Sequence, residues 1–117
     1  MCIRDSADEA RTLARIAHPL VVPIRNFARL EDEYLGTLHA IVMPLVRGTK
    51  LSTLLRDCRS RGVLLPLPAT LHLLLQLADA LEAVHQATDE EGCPLQIVHR
   101  DLKPSNLMVS ALSLIHI

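Results

Sequence analysis

The spacing of apolar and polar residues marks out the elements of this chain before any composition is counted. Between Thr70 and His85, polar His72, Gln76, Asp79 and Glu82 recur at helical intervals opposite Leu74, Leu77, Ala78, Leu81 and Val84, which predicts a buried amphipathic helix. Pro66 and Pro68 stand ahead of it, where a helix start accepts proline, and charge interrupts the run too often for a membrane span. Upstream, Leu38 to Met43 is an apolar run of strand length closed by Pro44, and Leu20 to Phe27 predicts a further strand. A helix is expected over Glu9 to His18, with Leu13 and Ile16 on one side and a stop at Pro19. Ile97-Val98 and Leu107-Met108-Val109 read as short apolar strands on either side of a polar octet. Gln86 to Gln96 (QATDEEGCPLQ) is acidic and glycine-bearing, so a solvated, hairpin-like excursion is expected there.

The octet His99-Arg100-Asp101-Leu102-Lys103-Pro104-Ser105-Asn106 carries the chemistry. Phosphoryl transfer needs an aligned hydroxyl, neutralised charge and a held metal, and these demands converge on a few ångströms of space. Asp101 can accept a hydroxyl proton. Lys103, two residues on in an extended loop, points to the same side and can set its ammonium beside a moving phosphate. Asn106 offers a neutral carbonyl oxygen to Mg²⁺, a hard cation that prefers oxygen, and Pro104 stiffens the segment between them.

In this order the octet resembles the catalytic loop H-R-D-x-x-x-x-N of the eukaryotic-type (Hanks-type) protein kinases. Lys103 followed by Pro104-Ser105-Asn106 resembles the serine/threonine branch, and the long excursion before the loop resembles bacterial members. The resemblance implies an α+β, bilobal kinase-like fold, here incomplete: residues 7–46 as the end of the N-lobe with the hinge, and residues 47–111 as the start of the helical C-lobe. It implies ATP and Mg²⁺ as cofactors and protein Ser/Thr hydroxyls as substrate. Asp101 and Lys103 would be catalytic and Asn106 the metal ligand. Met43 would be the gatekeeper, with adenine using the carbonyl of Pro44 and the N–H of Val46; Pro44 replaces the usual acidic residue, but only its carbonyl is needed. Leu51 and Met108 would enclose the base, and Lys50 would lie near the ribose. Glu9 would pair with the lysine of strand three, while Leu13, Ile24 and His99 would stack between regulatory helix and catalytic loop. Arg100 would read a phosphate on the activation segment. Two alternatives belong to other classes: a pseudokinase scaffold, and a small-molecule phosphotransferase of kinase-like fold, which more often has glycine at the place of Arg100.

Composition adjusts this picture at three points. Half of the residues are apolar and 2% aromatic, so a piece this rich in leucine is expected to expose apolar surface and to aggregate. A net charge of −1 and scattered arginines give no nucleic-acid surface. Cys58 and Cys93 have neither metal spacing nor a disulfide framework, which points to a reducing, cytoplasmic setting; membrane anchoring of a longer protein is left open.

The termini read as something else. Met1 to Ser6 can be written ATG TGT ATA AGA GAC AGx, and the reverse complement of those bases encodes Leu112-Ser113-Leu114-Ile115-His116 followed by isoleucine or methionine. An inverted nucleotide repeat of this kind resembles a transposon-end sequencing adapter, so residues 1–6 and 112–117 are expected to be non-native, with Cys2 among them. The resemblance then covers about residues 7 to 110. No glycine-rich loop, strand-three lysine or Asp-Phe-Gly lies among them, so these residues alone are expected to be inactive and poorly folded.

Overall fold

A computed structural model describes residues 14–111 and 115–117. Glu9 and Leu13 lie outside the described residues; of the helix expected over Glu9 to His18, the described part is a turn at residues 14 and 15 followed by irregular chain over 16–18. The first element is an antiparallel hairpin of β1 (Asn26–Asp32) and β2 (Gly36–Val42), in register from Asn26 opposite Val42 to Asp32 opposite Gly36. Its turn follows from two residues. The Asp32 carboxylate accepts the N–H groups of Tyr34 (2.8 Å) and Leu35 (2.9 Å), and Gly36 supplies the left-handed step with φ +72°. Those two N–H donors, Leu35 first, hold the Asp32 carboxyl below the ordinary carboxylate range.

The strand expected over Leu20 to Phe27 begins only at Asn26. Pro19 and Pro23 have no N–H to give a ladder, and the residues between them bond elsewhere. Val21 N–H turns back to the His18 carbonyl, Val22 N–H reaches Ile117 O (2.8 Å), and Ile117 N–H reaches Leu20 O (2.9 Å).

After residues 43–47 the chain forms β3 (Gly48–Lys50), which runs without a break into helix α1 (Leu51–Ser60). The three-residue strand pairs antiparallel with β4 (Met108–Ser110), Gly48 opposite Ser110 and Lys50 opposite Met108. β5 (Ile115–His116) adds to the far side of β4. It comes from the stretch whose codons suggest a non-native origin; a ladder uses only backbone groups, so its pairing says nothing about that origin. At Gly48 a methyl group would collide with the Val109 carbonyl oxygen and carbon. Gly48→Ala in the full-length protein is therefore expected to cost about 1–3 kcal/mol of stability, read as a lower denaturation midpoint; an unchanged midpoint would show that the two strands can separate freely.

Helix α1 closes with a left-handed Gly62 (φ +63°), whose N–H bonds Arg59 O while Val63 N–H bonds Cys58 O, satisfying carbonyls the helix leaves open. Helix α2 (Leu67–His85) starts three residues before the expected span and takes Pro68 into its first turn, where no intrahelical donor is required. Its covered face is also turned from expectation. Ala80 and Val84 are buried and Leu73, Leu77 and Leu81 half-buried, whereas Leu74 is 55% exposed and Ala78 lies open. The helix is apolar nearly all round, so its few polar residues do not say which side packs. By length and composition alone α2 could cross a membrane, with Asp79 and Glu82 as its only acidic residues, against the expectation that charge forbids this. Core helices pass the same test, and α2 contributes to a buried set of Ile16, Leu20, Ala80, Val84 and Leu107.

The excursion after α2 is hairpin-like, as its composition suggests. Thr88 bridges Pro94, Asp89 N–H bonds Cys93 O, Leu95 N–H bonds Ala87 O, and Gly92 turns at φ +81°. Ile97-Val98 forms no strand. Gln96 (φ +51°) and Arg100 (φ +60°) take left-handed conformations on either side, and a ladder cannot run through two such breaks.

Candidate active site

The octet folds on itself around Asp101. Arg100 turns the backbone left-handed, which lets Asp101 N–H reach back to the His99 carbonyl (2.9 Å) and toward His99 Nδ1 (3.3 Å). A left-handed non-glycine residue is strained, and such strain gathers at working sites. Pro104–Asn106 then forms one 3₁₀ turn, closed by Asn106 N–H on Lys103 O (2.9 Å). Buried Leu107 anchors the loop from below, its carbonyl accepting Leu51 N–H at 2.8 Å.

This fold brings the three expected residues together. Lys103 Nζ lies 3.0 Å from Asp101 Oδ1, and Asn106 Nδ2 donates to Asp101 Oδ2 and to the Asp101 carbonyl, each at 2.9 Å. A carboxylate and a carbonyl only accept, so the Asn106 amide nitrogen must face Asp101 and its Oδ1 is free to face away. That leaves a neutral oxygen for a hard cation, so the donor set fits Mg²⁺. Each Asp101 oxygen keeps a lone pair after these bonds, enough to accept a substrate hydroxyl.

The same contacts set the charge. The Lys103 hydrogen bond first, and that of Asn106 second, hold the Asp101 carboxyl below the ordinary carboxylate range, against a smaller opposing effect of desolvation. A depressed pKa keeps Asp101 ionised throughout the neutral range, with protonation pushed to the acid side of the ordinary carboxylate range. Accordingly kcat/KM is expected to show no acid limb from this group between about pH 5 and 8. An apparent pKa above 5 that moves when Lys103 is changed to glutamine would contradict this.

The expected nucleotide residues are distributed along one strap of chain. Among the described residues neither the Pro44 carbonyl nor the Val46 N–H takes an internal hydrogen bond, so both can receive an adenine edge. Leu51 and Met108 are both half-buried; the pairing of Lys50 with Met108 brings Met108 to the start of α1, where Leu51 N–H bonds Leu107 O. Pro44 and Val46 also line a cavity of about 520 Å³ with Pro19, Val21 and Ser110; Leu51 and Met108 do not line it. Glu9 lies outside the described residues. Asp89, Glu91 and Cys93 lie close enough to share a metal, but Asp89 Oδ1 already accepts the N–H groups of Glu91 and Cys93, which accounts for it as a turn residue. Sequence reasoning missed Gly48, although a glycine opening a short strand hints at close backbone approach.

Comparison with known proteins decides the family. The family profile "protein kinase domain" matches residues 3–117. The chain belongs to the protein kinase family. It is 39% identical over 103 residues to the tyrosine-protein kinase MasK of Myxococcus xanthus, covering 88% of this chain and 15% of that protein. It is 37% identical over 103 residues to the serine/threonine-protein kinase PknE of Mycobacterium tuberculosis, with the same coverage. With the serine/threonine-protein kinase PkaA of Streptomyces coelicolor the identity is 40% over 101 residues, 86% of this chain and 16% of that protein. The kinase chain thus spans about 15% of the length of these curated relatives. Among solved structures, "PpkA-294 apo form" superposes with a TM-score of 0.69 over 97% of this chain and 35% of that one, at 24% identity, which supports the kinase fold.

Proposed function

We propose that this chain is a segment of an ATP-dependent serine/threonine protein kinase, running from the N-lobe regulatory helix through the hinge to the catalytic loop. The observation that carries the reading is the three-way contact of Asp101 with Lys103 and Asn106. Asp101, ionised and held from two sides, orients the attacking hydroxyl and accepts its proton late in a loose transfer. Lys103 has three donors, so it can keep its bond to Asp101 and still meet an oxygen of the transferred phosphoryl group. Asn106 Oδ1 would hold Mg²⁺, which when bound would neutralise phosphate charge. Pro44, Val46, Leu51 and Met108 receive the base. The free thiols of Cys58 and Cys93 support a cytoplasmic catalytic domain.

Relatives bear both tyrosine and serine/threonine names, so the acceptor hydroxyl is the finer part of the proposal; the Lys103-Pro104-Ser105 string favours serine and threonine. The test is to incubate the full-length protein with radiolabelled ATP, Mg²⁺ and casein, then hydrolyse the product for phosphoamino acids. Phosphoserine or phosphothreonine is expected. Phosphotyrosine alone would overturn the acceptor assignment, and absence of ATP-dependent transfer would overturn the reading as a whole.

A further inference from the structure

Charge is unevenly placed along this chain. Although the net charge is −1, residues 44–66 hold five cations, Arg47, Lys50, Arg56, Arg59 and Arg61, and a single acid, Asp57. The acids collect instead at the tip of the β1–β2 hairpin, as Glu31, Asp32 and Glu33, and in the excursion, as Asp89, Glu90 and Glu91. Folding then carries the cationic stretch to the catalytic loop. β3 and the start of α1 lie against the Pro104–Asn106 turn, Lys50 pairs with Met108, and Leu51 N–H bonds Leu107 O at 2.8 Å.

These cations are largely unpaired. Arg15 and Arg29, which lie elsewhere, hold Glu90 and Glu31 at 2.9 and 3.0 Å. Among the described residues the side chains of Arg47, Lys50, Arg59 and Arg61 make no ion pair or hydrogen bond, and Arg56, 76% exposed, meets Asp57 only at 3.9 Å. Asp101 does not neutralise them, because its two oxygens already accept from Lys103 and Asn106. Like charges gathered on an exposed strap and helix repel one another, so an anion that settles among them is stabilised.

Position selects the anion. Nucleotide phosphate falls to Lys103 and to the metal site at Asn106. Arg56 and Arg59, three apart and so on one side of α1, stand about 7 to 12 Å along the helix from its docked start. An extended peptide advances about 3.3 Å per residue, so residues about three to six positions from a hydroxyl held at Asp101 come within reach of these arginines. With one Phe, one Tyr and no Trp in the chain there is no aromatic platform for bases, which favours a peptide over a nucleic acid.

We propose that residues 44–50 and α1 form a docking surface for acidic acceptor peptides, on which Arg56 and Arg59 meet carboxylates a few positions from the phosphorylated hydroxyl. This rests on the kinase reading above, whose site it extends.

The test gives the full-length protein three serine peptides, flanked on both sides by glutamate, by glutamine or by lysine. At low salt kcat/KM for the glutamate peptide is expected to exceed that for the lysine peptide about tenfold or more. From about 0.05 to about 0.5 M NaCl the gap should shrink to about twofold. Arg56→Gln combined with Arg59→Gln should raise the KM for the glutamate peptide about fivefold, with kcat and the KM for ATP within about twofold of wild type. An active enzyme that treats the three peptides alike, or prefers lysine, overturns the proposal and leaves the kinase reading intact. A preference for glutamate that survives the double substitution overturns the assignment to α1. A wild type without ATP-dependent transfer overturns the kinase reading, and the fluorescence anisotropy of labelled glutamate and lysine peptides then still judges the surface. If a short single-stranded RNA displaces the labelled glutamate peptide at lower concentration than the unlabelled peptide does, the surface is one for nucleic acid and the proposal fails.

Discussion

Asp101→Asn is expected to lower the kcat of the full-length protein by about 10²- to 10⁴-fold while nucleotide binding changes little. The substitution removes the proton acceptor, and it also breaks the local accounting of donors. Asp101 takes one bond from Lys103 Nζ on Oδ1 and one from Asn106 Nδ2 on Oδ2. An asparagine has one oxygen and one NH₂ group, so one of those donors must face another donor. Loss of the base and loosening of Asn106 therefore come together, and the effect should exceed that of losing the base alone. Steady-state kinetics with casein as acceptor, beside titration with a fluorescent ATP analogue, separates rate from binding. A variant within tenfold of the wild-type rate would remove Asp101 from the catalytic role.

Asn106→Leu is expected to cost about a hundredfold or more in kcat/KM, as loss of a metal ligand and its support does. A rise in Mg²⁺ should recover part of the loss at Asn106→Ala, where the space is open to water. Asn106→Asp is the sharper experiment. It restores an oxygen for the metal but replaces the donor facing Asp101 with a second carboxylate, and like charges so close push one pKa up. Metal affinity should return, the rate should stay low, and an acid limb absent from the wild type should enter the pH profile. If Asn106→Asp matches wild type at neutral pH, the amide donor to Asp101 is dispensable.

The convergence within the octet was legible in the sequence: an acceptor, an ammonium and an amide within six residues can meet only if the chain turns between them. The structure supplies the turn, at Arg100 and again at Pro104–Asn106. The excursion was legible for a similar reason, since Asp89 and Gly92 are turn residues whatever surrounds them. Packing was much less so. The face of α2 was misplaced by about one residue because leucine lies on every side of it, and the choice depends on where Ile16, Leu20 and Leu107 meet the helix rather than on α2 itself. Helix α1 went unread beyond Leu51, although Gly62 stands where a helix of that length would end. The strands at 20–27 and 97–98 failed on backbone grounds, through missing proline donors in the first and left-handed residues in the second.

Arg100 has a consequence that reaches past this one chain. Its backbone occupies the region that glycine enters without strain, so Arg100→Gly would preserve the bend that presents Asp101 while deleting the guanidinium. Shape and charge are separable there: one codon change isolates what the guanidinium alone contributes, with the turn that carries Asp101 left as it is.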